Sequence, residues 1–137
     1  AVVCGILSGT LASLTGIFVL CMLFGFNHQQ YVTMLPKSIT TAIGIGISEE
    51  LGGIVTITVA VIIITGILGN VIADTVFHIF KIKNPLAKGL ALGTASHAIG
   101  TARAIEMGPV EGAMSSLAVA VAGLLTVVFV SGFAQLI

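Results

Sequence analysis

Residues 88–108 read KGLALGTASHAIGTARAIEMG, and this stretch decides the fold. Its uncharged run, residues 89–102, is shorter than the roughly 20 apolar residues that a straight helix needs to cross a bilayer. Short hydrophobic segments interrupted by glycine are typical of broken or re-entrant helices in membrane carriers. The sequence therefore predicts a broken or re-entrant helix over this stretch.

A second stretch, residues 36–53, has the same character and reads PKSITTAIGIGISEELGG. Residues 38–52 align with residues 94–108 without a gap, and both contain the tripeptide Ala-Ile-Gly followed by a matching Glu and Gly. Because one long apolar run separates the two copies, re-entrant copies would enter from opposite faces as an inverted repeat. If both copies crossed the membrane fully, the repeat would be parallel.

Three long apolar runs, residues 1–26, 51–80 and 112–137, predict ordinary membrane-spanning helices. Residues 27–30, Asn-His-Gln-Gln, are expected to form a polar loop. The predicted fold is an all-α polytopic membrane protein, with residues 1–137 as one transmembrane domain. Since the chain opens with Ala inside an apolar run, we expect it to be the C-terminal part of a longer polypeptide.

The composition agrees with a membrane protein and excludes other classes. Of the 137 residues, 57% are hydrophobic and only 7% are charged, against about 25% charged residues in a soluble domain. A soluble enzyme or a disordered linker of this composition is excluded. The net charge of zero gives no basic surface for nucleic acid, so no nucleic-acid partner is expected.

The few charges predict the orientation in the membrane. Three lysines cluster in one short connection, Lys81, Lys83 and Lys88. The positive-inside rule assigns this connection to the cytoplasm, so the adjacent pair Glu49 and Glu50 is expected outside. Glu106 and Glu111 would lie outside only if the second short segment crosses the membrane.

Polar side chains in the two short segments are the candidate site residues, because hydrocarbon offers them no hydrogen-bond partners. In a continuous helix, Thr94, His97 and Thr101 would share one face, opposite Arg103. A break at Gly93 or Gly100 would bring these groups together around a helix end. With the matching positions of the first copy included, the predicted substrate-binding set is Ser38, Thr40, Thr41, Thr94, Ser96, His97 and Arg103.

Specific roles follow from the chemistry of two of these side chains and of the nearby Glu106. Arg103 is the candidate to attract an anion, and His97 and Glu106 are the candidates for coupling to a proton. Structural alternatives exist, since membrane hydroxyls often bond their own helix and Arg103 with Glu106 forms an ordinary i,i+3 pair. Adjacent Ser96 and His97 point about 100° apart and cannot form a nucleophile–base pair.

No enzyme activity, metal or cofactor is predicted. The three histidines lie at no metal-ligand spacing from a cysteine or a carboxylate, and the two cysteines match no redox motif.

Three stretches, residues 35–53, 64–69 and 84–126, resemble the LrgB/CidB family of bacterial antiholin-like or YohK-like membrane proteins. The run GLALGTASHAIGTARAIEMG within the last of them is long and specific. The resemblance covers essentially the whole chain and implies the bacterial cytoplasmic membrane, with multiple spans.

The function implied by this resemblance is divided. Some relatives look like carriers of small monocarboxylates of the pyruvate or glycolate type, acting with a small LrgA/CidA-like membrane partner. Others are described as antiholin-like regulators of murein hydrolase activity and cell lysis, without a substrate of their own. The paired hydroxyl-rich segments favour the carrier, with the lipid bilayer and a small carboxylate as the other partners. The oligomeric state is left open, with a homo-oligomer among the alternatives.

Overall fold

The computed structural model describes residues 1–137, which form six helices and no strands. Three helices are long and apolar enough to cross a membrane, which confirms the three predicted spanning helices and the all-α membrane fold. The helices are α1 (Val2–Phe24), α2 (His28–Met34), α3 (Thr41–Glu50), α4 (Val55–Ile79), α5 (Pro85–Met107) and α6 (Pro109–Ala134).

The connection between α1 and α2 is shorter than the sequence predicted. α1 ends at Gly25, whose φ of 65° is the left-handed conformation that glycine adopts at helix ends. Asn27 then caps α2: its side chain accepts from the Gln30 backbone N–H at 2.9 Å, and Gln30 accepts from the Asn27 N–H at 3.1 Å. The polar residues 27–30 are therefore a capping box and not a loop, because they satisfy the free N–H groups of a helix start.

α2 and α3 form a re-entrant hairpin, called hairpin 1 (residues 28–50). Thr58 in the first turn of α4 holds both arms, since its hydroxyl donates to the Thr33 carbonyl at 2.9 Å and accepts from the Ser48 hydroxyl at 2.8 Å. Near the tip, residues 35–40, Gly44 packs on Pro36. The chain thus enters and leaves hairpin 1 at the same end of α4.

α5 is also folded back, because its backbone breaks at His97, where φ is 43° and ψ is −137°. Residues 85–96 and 98–107 are the two arms of this hairpin 2, and both arms contact the same part of α6. Gly93 in the first arm packs against the Ser115 carbonyl, and Thr101 in the second arm bonds the Ser115 hydroxyl at 2.7 Å. The second short segment therefore re-enters and does not cross.

A break at Gly93 or Gly100 was one alternative from the sequence, but the backbone breaks between these two glycines. A Cβ on Gly93 would collide with the Ser115 backbone, and one on Gly100 would approach the Ser96 Cβ to 2.5 Å. These glycines allow the arms to pack closely against each other and against α6. The turn itself falls on His97.

The two hairpins enter from opposite ends of the molecule. Hairpin 2 enters from the end of α4 where Lys81, Lys83 and Lys88 lie, which we call the lysine end, and hairpin 1 enters from the opposite end. The predicted repeat is thus inverted, and its offset matches Thr41, where α3 begins, with His97, where α5 breaks. Because hairpin 2 re-enters, Glu106 lies at the lysine end.

The hairpin tips meet near the middle of the spanning helices. Ser13, the central residue of α1, donates to the Ser38 hydroxyl at the tip of hairpin 1 at 2.9 Å. Gly9, one turn earlier in α1, packs on Thr94 close to the tip of hairpin 2. Side chains at both tips therefore lie at about half the depth of the membrane.

Candidate functional site

A cavity of about 780 Å³ lies between α1 and the first arm of hairpin 2. It extends from Asn84 at the lysine end to the tip of hairpin 1, and small side chains form much of its wall. Ser13, Lys37, Ser38 and Thr94 supply the polar groups at its deep end. Two of the predicted site residues, Ser38 and Thr94, are therefore brought together in one cavity.

Lys37 is the cation of this cavity. It is partly buried, it forms no ion pair, and its ammonium group donates to Ser38 Oγ at 2.6 Å and to Ser13 Oγ at 3.3 Å. An ammonium group has three N–H donors, so one remains for a ligand. An unneutralised cation at membrane depth makes Lys37 a candidate functional residue.

The hydroxyl groups of Ser38 and Thr94 differ in what they offer a ligand, one a hydrogen-bond donor and the other an acceptor. Ser38 Oγ accepts hydrogen bonds from both Lys37 and Ser13, so its own proton is free to donate to a ligand. The Thr94 hydroxyl donates to the Leu90 carbonyl at 2.8 Å and therefore faces a ligand as an acceptor. The deep end of the cavity offers two donors for an anion and one acceptor for a hydroxyl group.

Three other predicted residues lie outside the wall of this cavity. Thr40 is the N-cap residue of α3, and Thr41 begins that helix at the tip of hairpin 1. Ser96 is buried at the tip of hairpin 2, where it packs directly on Gly69 of α4. These three residues thus lie at the tips of the two hairpins but do not line the cavity.

His97 is held by α4. Its side chain is buried, and Nε2 lies 2.9 Å from the Ile62 carbonyl oxygen. Because a carbonyl oxygen only accepts, Nε2 carries the hydrogen, and Nδ1 is the position for a second proton. Gly66 makes room for the ring, since a Cβ there would lie 2.8 Å from the ring carbon Cε1.

Arg103 and Glu106 are at the lysine end and away from the tips. Arg103 pairs with Asp74 of α4 and with Glu106, the latter at 2.6 Å. Glu106 follows the break by nine residues, which is about 13 Å along a helix. Arg103 therefore ties the second arm of hairpin 2 to α4, and its charge is matched by two carboxylates.

Lys37 and Ser13 are the site residues that sequence reasoning missed. In the sequence, Lys37 follows Pro36 at the end of an apolar run, a pattern that is typical of a loop residue. The signal for it was present, because Lys37 is the only cation before residue 81 and it directly precedes the repeat. Ser13 carried no such signal.

No group of three or more His, Cys, Asp or Glu side chains is close enough to hold a metal ion. The polar groups of the cavity are suited to binding an organic anion by hydrogen bonds and charge.

Comparisons with known proteins agree on one family. The chain is 40% identical over 136 residues to the "Antiholin-like protein LrgB" of Bacillus subtilis (strain 168), covering 99% of this chain and 59% of that protein. It is 42% identical over 128 residues to the protein of the same name from Bacillus cereus (strain B4264), covering 93% of this chain and 56% of that protein. The chain thus spans little more than half the length of these relatives. No solved structure matches it. Residues 1–136 match the model of the LrgB-like family, and the chain belongs to that family of membrane proteins.

Proposed function

We propose that this chain forms the substrate-binding part of a carrier for small organic monocarboxylates. The observation that carries the proposal is the unpaired Lys37 at the meeting point of two inverted re-entrant hairpins. Carriers with inverted repeats bind their substrates near the bilayer midplane, at discontinuous helices. The ammonium group of Lys37 and the Ser38 hydroxyl would hold the carboxylate.

The polarity of the cavity favours small hydroxy or keto acids of the glycolate or pyruvate type. Gly9, Ala12 and Ala91 make the deep end apolar around its few polar groups, which include one acceptor hydroxyl on Thr94. That acceptor suits the hydroxyl group of a 2-hydroxy acid. A second carboxylate would find no further cation, since Lys37 is the only one lining this cavity.

The roles predicted for the other polar residues are retained in part. His97 takes up a co-transported proton at Nδ1, because that nitrogen can be protonated while Nε2 keeps its bond to the Ile62 carbonyl. Arg103 is already paired with two carboxylates, so we assign the contact with the anion to Lys37. Glu106 pairs with Arg103 at the lysine end, at the protein surface, so we assign the transported proton to His97 and not to Glu106.

The proposed carrier resides in the bacterial cytoplasmic membrane with the lysine end inside, and it acts with a small LrgA/CidA-like membrane protein. The positive-inside rule supports this orientation. The exposed apolar residues of α1, α4 and α6 supply surface for lipid and for such a partner.

Uptake of labelled pyruvate or glycolate into proteoliposomes tests the proposal, using the full-length protein with its small partner. Replacing Lys37 with Gln removes a charged hydrogen bond worth about 1.5–3 kcal/mol, so we expect uptake at low substrate to fall by about tenfold or more. Lys37→Arg should retain part of the activity. Glu50→Gln, which also removes one charge but at the end opposite the lysines, should leave uptake unchanged. Unaltered uptake by Lys37→Gln would contradict the site assignment.

The role of the Ser38 hydroxyl as a hydrogen-bond donor can be tested with a matched pair of serine substitutions. Ser38→Ala should weaken uptake, because the Ser38 hydroxyl both contacts Lys37 and faces the ligand. Ser116→Ala is the control, since the Ser116 hydroxyl bonds only the Gly112 carbonyl of its own helix. Equal effects of the two substitutions would remove Ser38 from the site.

The second candidate function is an antiholin-like regulator of murein hydrolase activity and lysis. The relatives from both Bacillus species are named antiholin-like proteins, which favours this function. Absence of uptake of any small acid, together with altered lysis in cells that lack the protein, would support this function in place of the carrier.

A further inference from the structure

A second cavity, of about 590 Å³, lies at the lysine end between the end of α4 and the beginning of hairpin 2. It takes no part in the carboxylate site. Its walls are formed by Asp74, Phe77, His78, Lys81, Ile82, Lys83 and Lys88.

The charge of this cavity is strongly positive and not neutralised within the chain. Lys81, Lys83 and Lys88 form no ion pair. Asp74 is the only carboxylate in the wall, and Arg103 already engages it. The charge of the wall therefore suits an anion with several acceptor oxygens.

Exposed apolar side chains flank the lysines in the sequence. Ile79, Phe80 and Leu86 have 64%, 71% and 42% of their surface exposed. They flank the lysines in sequence, so cationic groups and lipid-exposed apolar groups lie together at the end of a spanning helix. This arrangement matches an amphiphilic ligand with an anionic head and an apolar tail.

Lys81 occupies a backbone position that disfavours a lysine. It follows the end of α4 with a φ of 53°, and the next N–H, from Ile82, bonds the Phe77 carbonyl at 2.9 Å. Glycine is the usual residue at this position of a helix end. The turn places the charged side chain of Lys81 in the wall of the cavity.

We propose that this cavity binds the phosphoryl headgroup of an anionic membrane phospholipid. Basic pockets between membrane helices on the cytoplasmic side are suited to such headgroups, and the lysines supply charge-assisted hydrogen bonds to the phosphate oxygens. The lipid anchors the entry of hairpin 2 to the membrane surface. The neighbouring apolar side chains contact its acyl chains.

Lipid retention measured by native mass spectrometry tests this site on the purified full-length protein. With phosphatidylglycerol and phosphatidylcholine offered in equal amounts, we expect preferential retention of phosphatidylglycerol. Combined replacement of the three lysines with Gln should weaken this retention at least about tenfold, whereas combined replacement with Arg should preserve it. Glu49→Gln with Glu50→Gln, at the opposite end, should have no effect.

Three results would overturn the proposal, two of them in lipid retention itself. One is equal retention of both lipids, and the other is unchanged retention after the lysines become Gln. Displacement of the lipid by millimolar glycerol phosphate would also overturn the lipid assignment, in favour of a soluble organic phosphate. If the triple variant does not fold, the single variant Lys83→Gln must lower retention severalfold. Because the readout is lipid binding, its failure is distinct from a failure of carboxylate uptake.

Discussion

Lys37 and His97 lie at the tips of the two hairpins, and each is a residue type that its surroundings disfavour. Lys37 is a cation with no carboxylate partner at half the depth of the membrane. His97 has a positive φ that is rare for residues other than glycine. Such unfavourable features persist where the surrounding structure enforces them, most often at functional sites.

Because the backbone at His97 is strained, we predict that glycine at this position gives a more stable protein than alanine. Both His97→Gly and His97→Ala lose the bond to the Ile62 carbonyl, but only glycine adopts a φ of 43° with a ψ of −137° without strain. We expect His97→Gly to unfold at higher denaturant than His97→Ala, by a free energy of about 1 kcal/mol. Denaturant titration in detergent micelles provides the measurement.

His78 supplies the control, because it lies in the regular helix α4. There alanine should be more stable than glycine by up to about 1 kcal/mol. The same order at both positions, with alanine ahead, would show that the break at His97 is unstrained.

Two of the candidate site residues that the sequence indicated lie together in the structure, for a physical reason. Polar residues in an apolar segment are visible in one dimension, and Ser38 and Thr94 indeed line one cavity. Lys37 was missed because its depth depends on contact with Ser13, which is distant in the chain. Whether Arg103 binds a ligand or another side chain depends likewise on Asp74 of a different helix.

At the scale of helices and hairpins, length and hydropathy were sufficient for the spanning helices. The bounds of α1, α4 and α6 follow the apolar runs, because lipid requires a continuous hydrogen-bonded helix across its thickness. The hairpins needed a different signal, the repeat between residues 38–52 and 94–108. The position of the break in α5 could not be predicted, because the glycines around it serve close packing as well as flexibility.

Close packing of hairpin 2 on α6 leads to a prediction about glycine substitution. A Cβ on Gly93 would meet the Ser115 backbone and lie 2.6 Å from the Ala118 Cβ, so Gly93→Ala must push the first arm away from α6. We expect a loss of about 1–3 kcal/mol in the free energy of unfolding. Gly16→Ala in α1 is the matched control, because nothing lies within 4 Å of a Cβ there.

The control should be neutral or stabilise the protein by up to about 1 kcal/mol, since alanine favours a helix more than glycine does. Denaturant unfolding of the two variants in the same detergent compares them directly. Equal stability of Gly93→Ala and Gly16→Ala would mean that hairpin 2 does not pack on α6 in this way.

At the scale of the whole molecule, the inverted arrangement makes the two ends of the protein different in charge. The lysine end carries Lys81, Lys83 and Lys88 with Arg103, whereas Glu49 and Glu50 lie at the opposite end. The site at the hairpin tips lies between these ends, and its cavity extends toward the lysine end. In the proposed carrier, rocking of one hairpin against the other would expose the same Lys37 to each end in turn.

The direction of hairpin 2 can be tested by cysteine labelling, because a re-entrant and a crossing segment put Glu106 on different faces. In a background with Cys4 and Cys21 replaced by Ala, single cysteines are introduced by Lys83→Cys, Glu106→Cys and Glu50→Cys. A re-entrant hairpin returns Glu106 to the lysine end, so a membrane-impermeant maleimide should label Glu106→Cys and Lys83→Cys from the same face. It should label Glu50→Cys from the other face, which the positive-inside rule makes the outer face of intact cells. Labelling of Glu106→Cys together with Glu50→Cys would mean that the segment crosses, and the hairpin tips, with Lys37 and His97, would then no longer meet at the membrane centre.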